Sequence, residues 1–204
     1  MSFELSLLVY VDALDKIDDF LDSVTQQKNP SSSFEILLLD GNGYEEPRGF
    51  TERRNSPNLS IRWVSLKGAE KAACYNQGMA LANGRWLVFT ETSACFGKMA
   101  LEKALAHCRQ TVSVSTMTAC RPNEQVTETE TNIQIIALRA VLVDSGKEKR
   151  YGLCRENTSG AFDVRYDTAA LPCTLGSLLI DSQVAQKLHF REEVPLEFES
   201  LYLL

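Results

Sequence analysis

The chain lacks the excess of positive charge that polyanion-binding proteins carry. Its 204 residues include 27 acidic and 21 basic side chains, which give a formal net charge of -6 at pH 7. The basic residues are scattered along the sequence and do not form a stripe. Nothing in the charge pattern favours a nucleic acid, so we expect no nucleic-acid partner.

Long apolar runs are missing as well. The apolar stretch nearest the N-terminus has no basic region before it, and Asp12 and Asp15 interrupt it well short of the length that spans a bilayer. We therefore expect neither an export signal nor a transmembrane segment, and we expect a cytoplasmic protein.

Cysteine and histidine are too sparse and too widely spaced for a zinc site or a disulfide framework. The six cysteines include no C-x-x-C pair, and the chain has only two histidines. We expect reduced thiols that pack as small apolar residues, which agrees with a cytoplasmic location. The motifs G-x-S-x-G and H-E-x-x-H are absent, and no G-x-G-x-x-G follows the first apolar run, so nothing indicates a hydrolase, a zinc protease or a dinucleotide-binding enzyme.

The apolar residues that are present form short runs and helical patterns in alternation. Buried strands are predicted at Leu5–Val11, Phe34–Asp40, Leu59–Val64, Arg85–Phe89 and Leu175–Ile180, strand-rich segments at Thr111–Ala119 and Thr131–Val143, and helices at Leu14–Val24, Ala69–Ala82 and Met99–Gln110. Asn83-Gly84 is typical of a left-handed helix C-cap, Gly160–Pro172 of a long loop, and Asp181-Ser182 of the cap of a helix that runs through Leu188. This order predicts an α/β fold with a mainly parallel sheet and helices on both faces.

Three acidic residues lie at or just beyond the ends of predicted strands. They are Asp12, Asp40 and Glu91. Ligands of such sheets bind beyond the carboxyl ends of the strands, so these acids are the first candidates for a binding site. With 44% hydrophobic residues the chain can bury one core, and we expect residues 1–204 to form a single domain. Because it stops inside the apolar pattern Leu201–Leu204, we expect that domain to be cut from a longer polypeptide.

Several of these segments resemble, in order and spacing, the family 2 glycosyltransferases of GT-A fold. The segments are Leu5–Val9, Ser23–Gln27, Phe34–Gly43, Lys71–Gly84 and Trp86–Glu91. The most specific piece is Ala73-Cys-Tyr-Asn-Gln-Gly78 followed by Ala82-Asn-Gly84, which is similar to the family's A-x-R-N-x-G…A-x-G. The resemblance covers roughly the first hundred residues well and the last thirty faintly.

The resemblance implies a GT-A-like α/β fold, in which helices flank a mixed, mostly parallel central sheet. It also implies transfer of a sugar from a nucleotide-sugar donor to an acceptor that the sequence does not identify. Asp40 matches the acid that hydrogen-bonds the nucleotide base, Asp12 lies in the nucleotide-contacting loop after strand one, and Asn76 belongs to the R-N pair of the donor site. These three residues are the expected nucleotide-sugar-binding set.

The metal site implied by the resemblance is incomplete. Glu91 falls on the first acid of the family's D-x-D and Ser93 on the second, while Tyr75 replaces the arginine of the R-N pair. A divalent ion prefers two hard anionic ligands at this spacing, so we expect Mn²⁺ or Mg²⁺ to be held weakly by Glu91 and Ser93.

The catalytic base is altered too. The family's base aspartate falls at about Ser200, which needs its own activator, and Glu199 or Glu197 could take its place. Three hypotheses therefore stay open. The first is a family 2-like glycosyltransferase with incomplete metal and base motifs. The second is a catalytically degenerate GT-A-like domain that binds a nucleotide or a protein partner within a larger protein. The third is an unrelated nucleotide-binding α/β fold, which a strand order without the GT-A arrangement would reveal.

Overall fold

A computed structural model describes residues 3–27, 32–111, 135–137, 140–144, 147–151, 178–187, 189, 190 and 192. Its strands are β1 Phe3–Tyr10, β2 Phe34–Asp40, β3 Leu59–Ser65, β4 Gly84–Glu91, β5 Ile135–Ala137, β6 Ala140–Asp144, β7 Lys147–Tyr151 and β8 Leu178–Asp181. Its helices are α1 Ile17–Thr25, which follows a 3₁₀ turn at Leu14–Lys16, then α2 Lys71–Leu81, α3 Ala100–Thr111 and α4 Ser182–Ala185. No described helix is long and apolar enough to cross a membrane.

Six of the strands form one mixed sheet in the order β3-β2-β1-β4-β8-β5. The first four are parallel to one another, while β8 runs antiparallel to both β4 and β5. The strands β6 and β7 form a separate antiparallel pair. The predicted α/β fold with a mixed, mostly parallel sheet is confirmed.

The two faces of the sheet carry two apolar cores. Leu5, Leu7 and Val9 of β1 point to the face covered by α1 and α3, whereas Leu8 points to the face covered by α2 and α4. Residues of a strand alternate between faces, so a strand covered on both sides must be apolar at successive positions. This explains why the sequence of β1 is a continuous apolar run.

The start of α4 agrees with the prediction, whereas the end of α2 does not. Asp181 caps α4 by accepting a hydrogen bond from the Gln183 N–H at 2.8 Å, as predicted, although α4 ends at Ala185. The left-handed cap predicted at Asn83-Gly84 is wrong, because the C-cap of α2 is Ala82 in an extended conformation and Gly84 begins β4. A Cβ on Gly84 would lie 2.5 Å from the Ser6 nitrogen, so glycine is needed here for the close approach of β1 and β4.

The later half of the chain was predicted less well. The strand β7, with the sequence KEKRY, was not predicted. The segment predicted at Thr111–Ala119, apart from its first residue, and the loop predicted at Gly160–Pro172 lie outside the described residues.

The three cysteines whose side chains are described are free thiols, as expected for a reduced protein. They are Cys74, Cys95 and Cys108. Cys74 and Cys108 are buried, and burial raises the pKa of Cys74 to about 11 and that of Cys108 to about 12. These two thiols are packing residues and not nucleophiles.

A buried carboxylate on β2 links the four parallel strands toward their amino ends. Glu35 is 1% exposed and accepts hydrogen bonds from Ser6 Oγ at 2.7 Å, from Arg62 at 2.8 Å and from the Asn83 N–H at 2.9 Å. The Ser6 hydroxyl in turn accepts the Gly84 N–H at 2.8 Å. A buried charge is tolerated when it is paired and fully hydrogen-bonded, and Glu35 meets both conditions.

We expect Glu35→Gln to destabilise the domain by about 2 kcal/mol, because the new amide group presents N–H donors toward groups that are themselves donors. Urea unfolding followed by circular dichroism measures the loss. The matched control is Glu45→Gln at an exposed position, which should change the free energy of unfolding by less than about 0.5 kcal/mol. Equal stabilities of the two variants would contradict a structural role for Glu35.

Candidate functional site

Parallel pairing brings the three candidate acids to one edge of the sheet. Tyr10, the last residue of β1, lies opposite both Leu39 of β2 and Glu91 of β4. Asp12 is two residues beyond that position, and Asp40 ends β2. The carboxyl edge therefore holds Asp12, Asp40 and Glu91, as the sequence predicts.

Asp12 links the end of β1 to the residues just after β4 by hydrogen bonds. Its Oδ1 accepts hydrogen bonds from Thr92 Oγ1 at 2.6 Å and from the Ser93 N–H at 3.1 Å. Thr92, which is 1% exposed, also accepts the Ala13 N–H at 3.0 Å. Burial alone would raise the pKa of Asp12, but the hydrogen bonds from Thr92 and Ser93 together outweigh it and hold the pKa below its ordinary value.

Asp40 uses one carboxylate oxygen for its own loop. Oδ1 accepts the Gly43 N–H at 2.9 Å and closes the turn after β2, in which Gly43 has a φ of 79°. The side chain is fully buried, and Oδ2 has no hydrogen-bond partner in the described part of the chain. The turn at the end of the strand accounts for the hydrogen bond to Oδ1, but it provides no hydrogen bond for the buried Oδ2.

The loop between β3 and α2 packs closely over this turn. The Gly68 N–H donates to the Gly41 carbonyl at 2.9 Å, and a Cβ on Gly41 would lie 2.2 Å from the Ala69 carbonyl oxygen. Only glycine fits at that position. The close contact brings the start of α2 beside Asp40.

Glu91 forms an ion pair with Lys71. The Lys71 ammonium donates to Glu91 Oε1, and the side chains are 21% and 35% exposed respectively. Glu91 points to this side of the sheet because it continues the alternation of Leu87 and Phe89, which pack against α2. No local sequence pattern indicates this pair, because its members are 20 residues apart along the chain.

The residues at the predicted metal site do not fit a divalent ion. Glu91 is already paired with a cation, and Ser93 contributes its backbone N–H to Asp12 and no carboxylate. Within the described residues no group of three or more His, Cys, Asp or Glu side chains could hold a metal. A dication placed against Glu91 would also meet the positive charge of Lys71.

Tyr75, at the position of the family's arginine, belongs to the core. It is 1% exposed, its hydroxyl donates to the Thr90 carbonyl at 2.9 Å, and its ring packs against Phe89 and Phe190 with centroid distances of 5.3 and 5.8 Å. The aromatic side chain stabilises the contact between α2 and the sheet. It supplies no charge to the carboxyl edge.

Asn76 forms hydrogen bonds with the segment after α4. Its Oδ1 accepts the Phe190 N–H at 2.9 Å, and its Nδ2 donates to the Phe190 carbonyl and to Glu192, both at 3.0 Å. The structure thus places this residue, predicted to bind nucleotide-sugar, against the backbone of a distant segment. The predicted catalytic residues Glu197 and Glu199 lie outside the described residues.

A cavity lies at the opposite, amino edge of the sheet. It is lined by Phe3, Glu4, Ser33, Arg85, Trp86, Cys108 and Arg109. Arg109 donates to both carboxylate oxygens of Glu4 and to Ser32 at 2.8 Å, so its charge is already matched. None of the residues predicted to bind a ligand lines this cavity.

Solved structures share the fold. The chain is similar to S. aureus TarS residues 1–349, with 14% identity and a TM-score of 0.56, over 98% of this chain and 54% of that one. It is also similar to the same protein in complex with UDP, with 16% identity, a TM-score of 0.54 and coverage of 97% and 53%. For the complex with UDP-GlcNAc the values are 16%, 0.52, 94% and 49%.

The chain resembles glycosyltransferases of the GT-A fold. It spans about half the length of these structures. No model of a protein family matches the sequence, and no curated protein sequence matches it either.

We expect Asp12→Asn to lower the free energy of unfolding at pH 7 by about 1 kcal/mol, because charge-assisted hydrogen bonds become neutral ones. The pKa of Asp12 is lowered in the folded protein. The contribution of its carboxylate to the free energy of unfolding is therefore complete above the ordinary pKa of 3.8 and is lost as the pH falls through the lowered pKa. Urea unfolding should therefore show a difference from the wild type that shrinks below pH 3.8. The exposed Asp15, changed to Asn, is the control. A difference that does not depend on pH would contradict this account.

Proposed function

We propose that this chain is the donor-binding domain of a glycosyltransferase, which transfers a sugar from a nucleotide-sugar to an acceptor. The proposal is supported by the carboxyl edge, where three acids and a lysine meet in a GT-A-like sheet. Two of the TarS structures of the same fold are complexes, one with UDP and one with UDP-GlcNAc, so uridine nucleotides are the first ligands to test.

The observation that carries the proposal is the unpartnered oxygen of Asp40. A carboxylate oxygen that is fully buried without a hydrogen bond is costly, and an N–H donor from a ligand would remove that cost. The bond from Gly43 to Oδ1 fixes the carboxylate so that Oδ2 is presented in one orientation. A nucleobase with a ring N–H, such as uracil, has the complementary donor.

The other predicted residues have roles that fit this site. Asp12 shapes the loop that would lie along the nucleotide, since it ties β1 to Thr92 and Ser93. Asn76 anchors Phe190, and the chain continues from there to Glu197 and Glu199. We propose that one of these two glutamates is the base that takes the acceptor proton, and that Asn76 positions their segment.

A second candidate is a catalytically degenerate domain that binds nucleotide or a protein partner without sugar transfer. It is favoured by the Lys71–Glu91 pair and by the buried Tyr75, because these residues replace a metal ligand set and an arginine. Release of UDP from UDP-GlcNAc distinguishes the two. The enzyme should hydrolyse UDP-GlcNAc slowly and so release UDP, and Glu197→Gln or Glu199→Gln should abolish this activity. The degenerate domain should bind UDP-GlcNAc and leave it intact.

We expect Asp40→Asn to weaken the binding of both UDP and uridine by roughly 10- to 100-fold. Asparagine keeps the oxygen that caps the Gly43 loop and places an N–H₂ group where the base requires an acceptor. Calorimetric titration measures the affinities, and Asp19→Asn at an exposed position of α1 is the matched control.

Two results would contradict the proposed function. One is the absence of binding by UDP and by every other nucleoside diphosphate, with or without Mn²⁺. The other is an affinity for UDP that is the same in Asp40→Asn, Asp19→Asn and the wild type.

A further inference from the structure

We propose that the cavity at the amino edge of the sheet is a second binding site, which takes a small monovalent carboxylate that carries a short apolar or aromatic group. This site is independent of the proposed function, because it lies at the opposite end of the strands from the carboxyl edge. Its main anchor is Arg85, which lines the cavity.

The cavity is large enough for a small organic ion. Its volume is about 280 Å³, which is close to the lower end of the range for small-molecule sites in proteins. Its walls come from four separate parts of the chain. Phe3 begins β1, Ser33 precedes β2, Trp86 belongs to β4 and Arg109 belongs to α3. The pairing of the strands therefore fixes the positions of these walls.

One side of the cavity offers hydrogen-bond donors. Nε and Nη2 of Arg109 donate to the two carboxylate oxygens of Glu4, and Nη2 also donates to Ser32 Oγ. This pairing engages both oxygens of Glu4. It leaves the two donors of Arg109 Nη1 without a hydrogen bond to any residue that the structure describes. A ligand on this side therefore meets donors more readily than acceptors.

Arg85 supplies a charge that is not balanced by an ion pair with any described residue. Its side chain is exposed, and its guanidinium carbon lies 5.9 Å from the centroid of the Trp86 ring. Asp181 lies opposite Trp86 on β8, but its Oδ1 caps α4. Burial has the largest effect on the pKa of Cys108 and raises it, while the positive charge of Arg85 opposes that rise. The guanidinium therefore lies close to the interior of the cavity.

The charges of the lining residues favour a monovalent anion. Two arginines and one glutamate line the cavity, so one positive charge is left over. Glu102, whose charge also acts on Arg109, does not line it. The planar fork of arginine matches a carboxylate, which can accept two parallel hydrogen bonds. A second negative charge in the cavity would have no cation to pair with, so a diphosphate is a poorer ligand.

The remaining walls are apolar and favour an apolar group beside the carboxylate. Phe3 and Trp86 contribute aromatic rings, and Trp86 is 3% exposed. Aromatic and apolar walls with a few polar groups are typical of sites for small organic ligands. A ring or a short alkyl group bound to the carboxylate would cover this surface and remove it from water.

The first test is a titration of the wild-type protein with benzoate, followed by backbone amide chemical shifts. We expect a dissociation constant of roughly 1 mM and the largest shifts near Phe3, Ser33, Trp86 and Arg109. Benzamide has the same shape without the charge, so it should bind at least about tenfold more weakly. Equal affinities for benzoate and benzamide would overturn the proposal, as would benzoate shifts concentrated at residues 10–13 and 40–43.

Inorganic phosphate tests the class of anion in the same experiment. It carries more charge than benzoate at neutral pH and has no apolar group, so it should bind more weakly than benzoate. Phosphate that binds more tightly than benzoate at the cavity would overturn the assignment to a carboxylate.

The second test uses Arg85→Gln, which should weaken the binding of benzoate at least about tenfold. Arg85→Lys should recover only part of the loss, because an ammonium lacks the planar fork. Arg48→Gln removes the same charge at an exposed position outside the cavity and should keep the wild-type affinity. A wild-type affinity for benzoate in Arg85→Gln would overturn the proposal.

The affinity for UDP keeps this proposal separate from the proposed function. Arg85→Gln should bind UDP as the wild type does, since Arg85 lies at the amino edge. A loss of UDP affinity in Arg85→Gln with benzoate affinity unchanged would overturn the second site. Absence of UDP binding by the wild type, together with benzoate binding at the cavity, would overturn the proposed function and support the second site.

Discussion

The pairing of β1 with both β2 and β4 is the constraint on which the site depends. Because all three strands are parallel and Tyr10 lies opposite Leu39 and Glu91, the loops that follow them must meet at one edge. The Glu35 network holds the same strands at their amino ends. A shift of one residue in this register would turn Glu91 away from Lys71.

The sequence predicted the strands of the parallel sheet well, because a strand covered on both faces needs a continuous apolar run. The bounds of β2, Phe34–Asp40, agree with the prediction at both ends. The polar sequence of β7 contains no such run, so it was missed. The cap predicted at Gly84 is wrong because glycine occurs both in left-handed turns and where two backbones approach closely, and the sequence does not distinguish the two. Only the fold shows that Gly84 lies against Ser6.

The candidate site was predictable in its location and not in its chemistry. Parallel strands place Asp12, Asp40 and Glu91 together, whereas the partners of Glu91 and Asn76, which are Lys71 and Phe190, lie at sequence separations of 20 and 114 residues. Only the fold brings such residues into contact. At two positions that differ from the family pattern the structure shows what the side chain or backbone does: Tyr75 fills an aromatic core, and Ser93 donates its N–H to Asp12. The charge of Glu91 is offset by Lys71.

The central claim is that the carboxyl edge binds a nucleoside diphosphate, and backbone amide chemical shifts during a titration with UDP in EDTA test it most directly. The account predicts the largest shifts in four short segments at that edge, namely residues 10–13, 40–43, 71–73 and 91–93. Shifts concentrated around the amino-edge cavity, near Phe3, Ser33 and Trp86, would contradict it, as would a spectrum that UDP leaves unchanged.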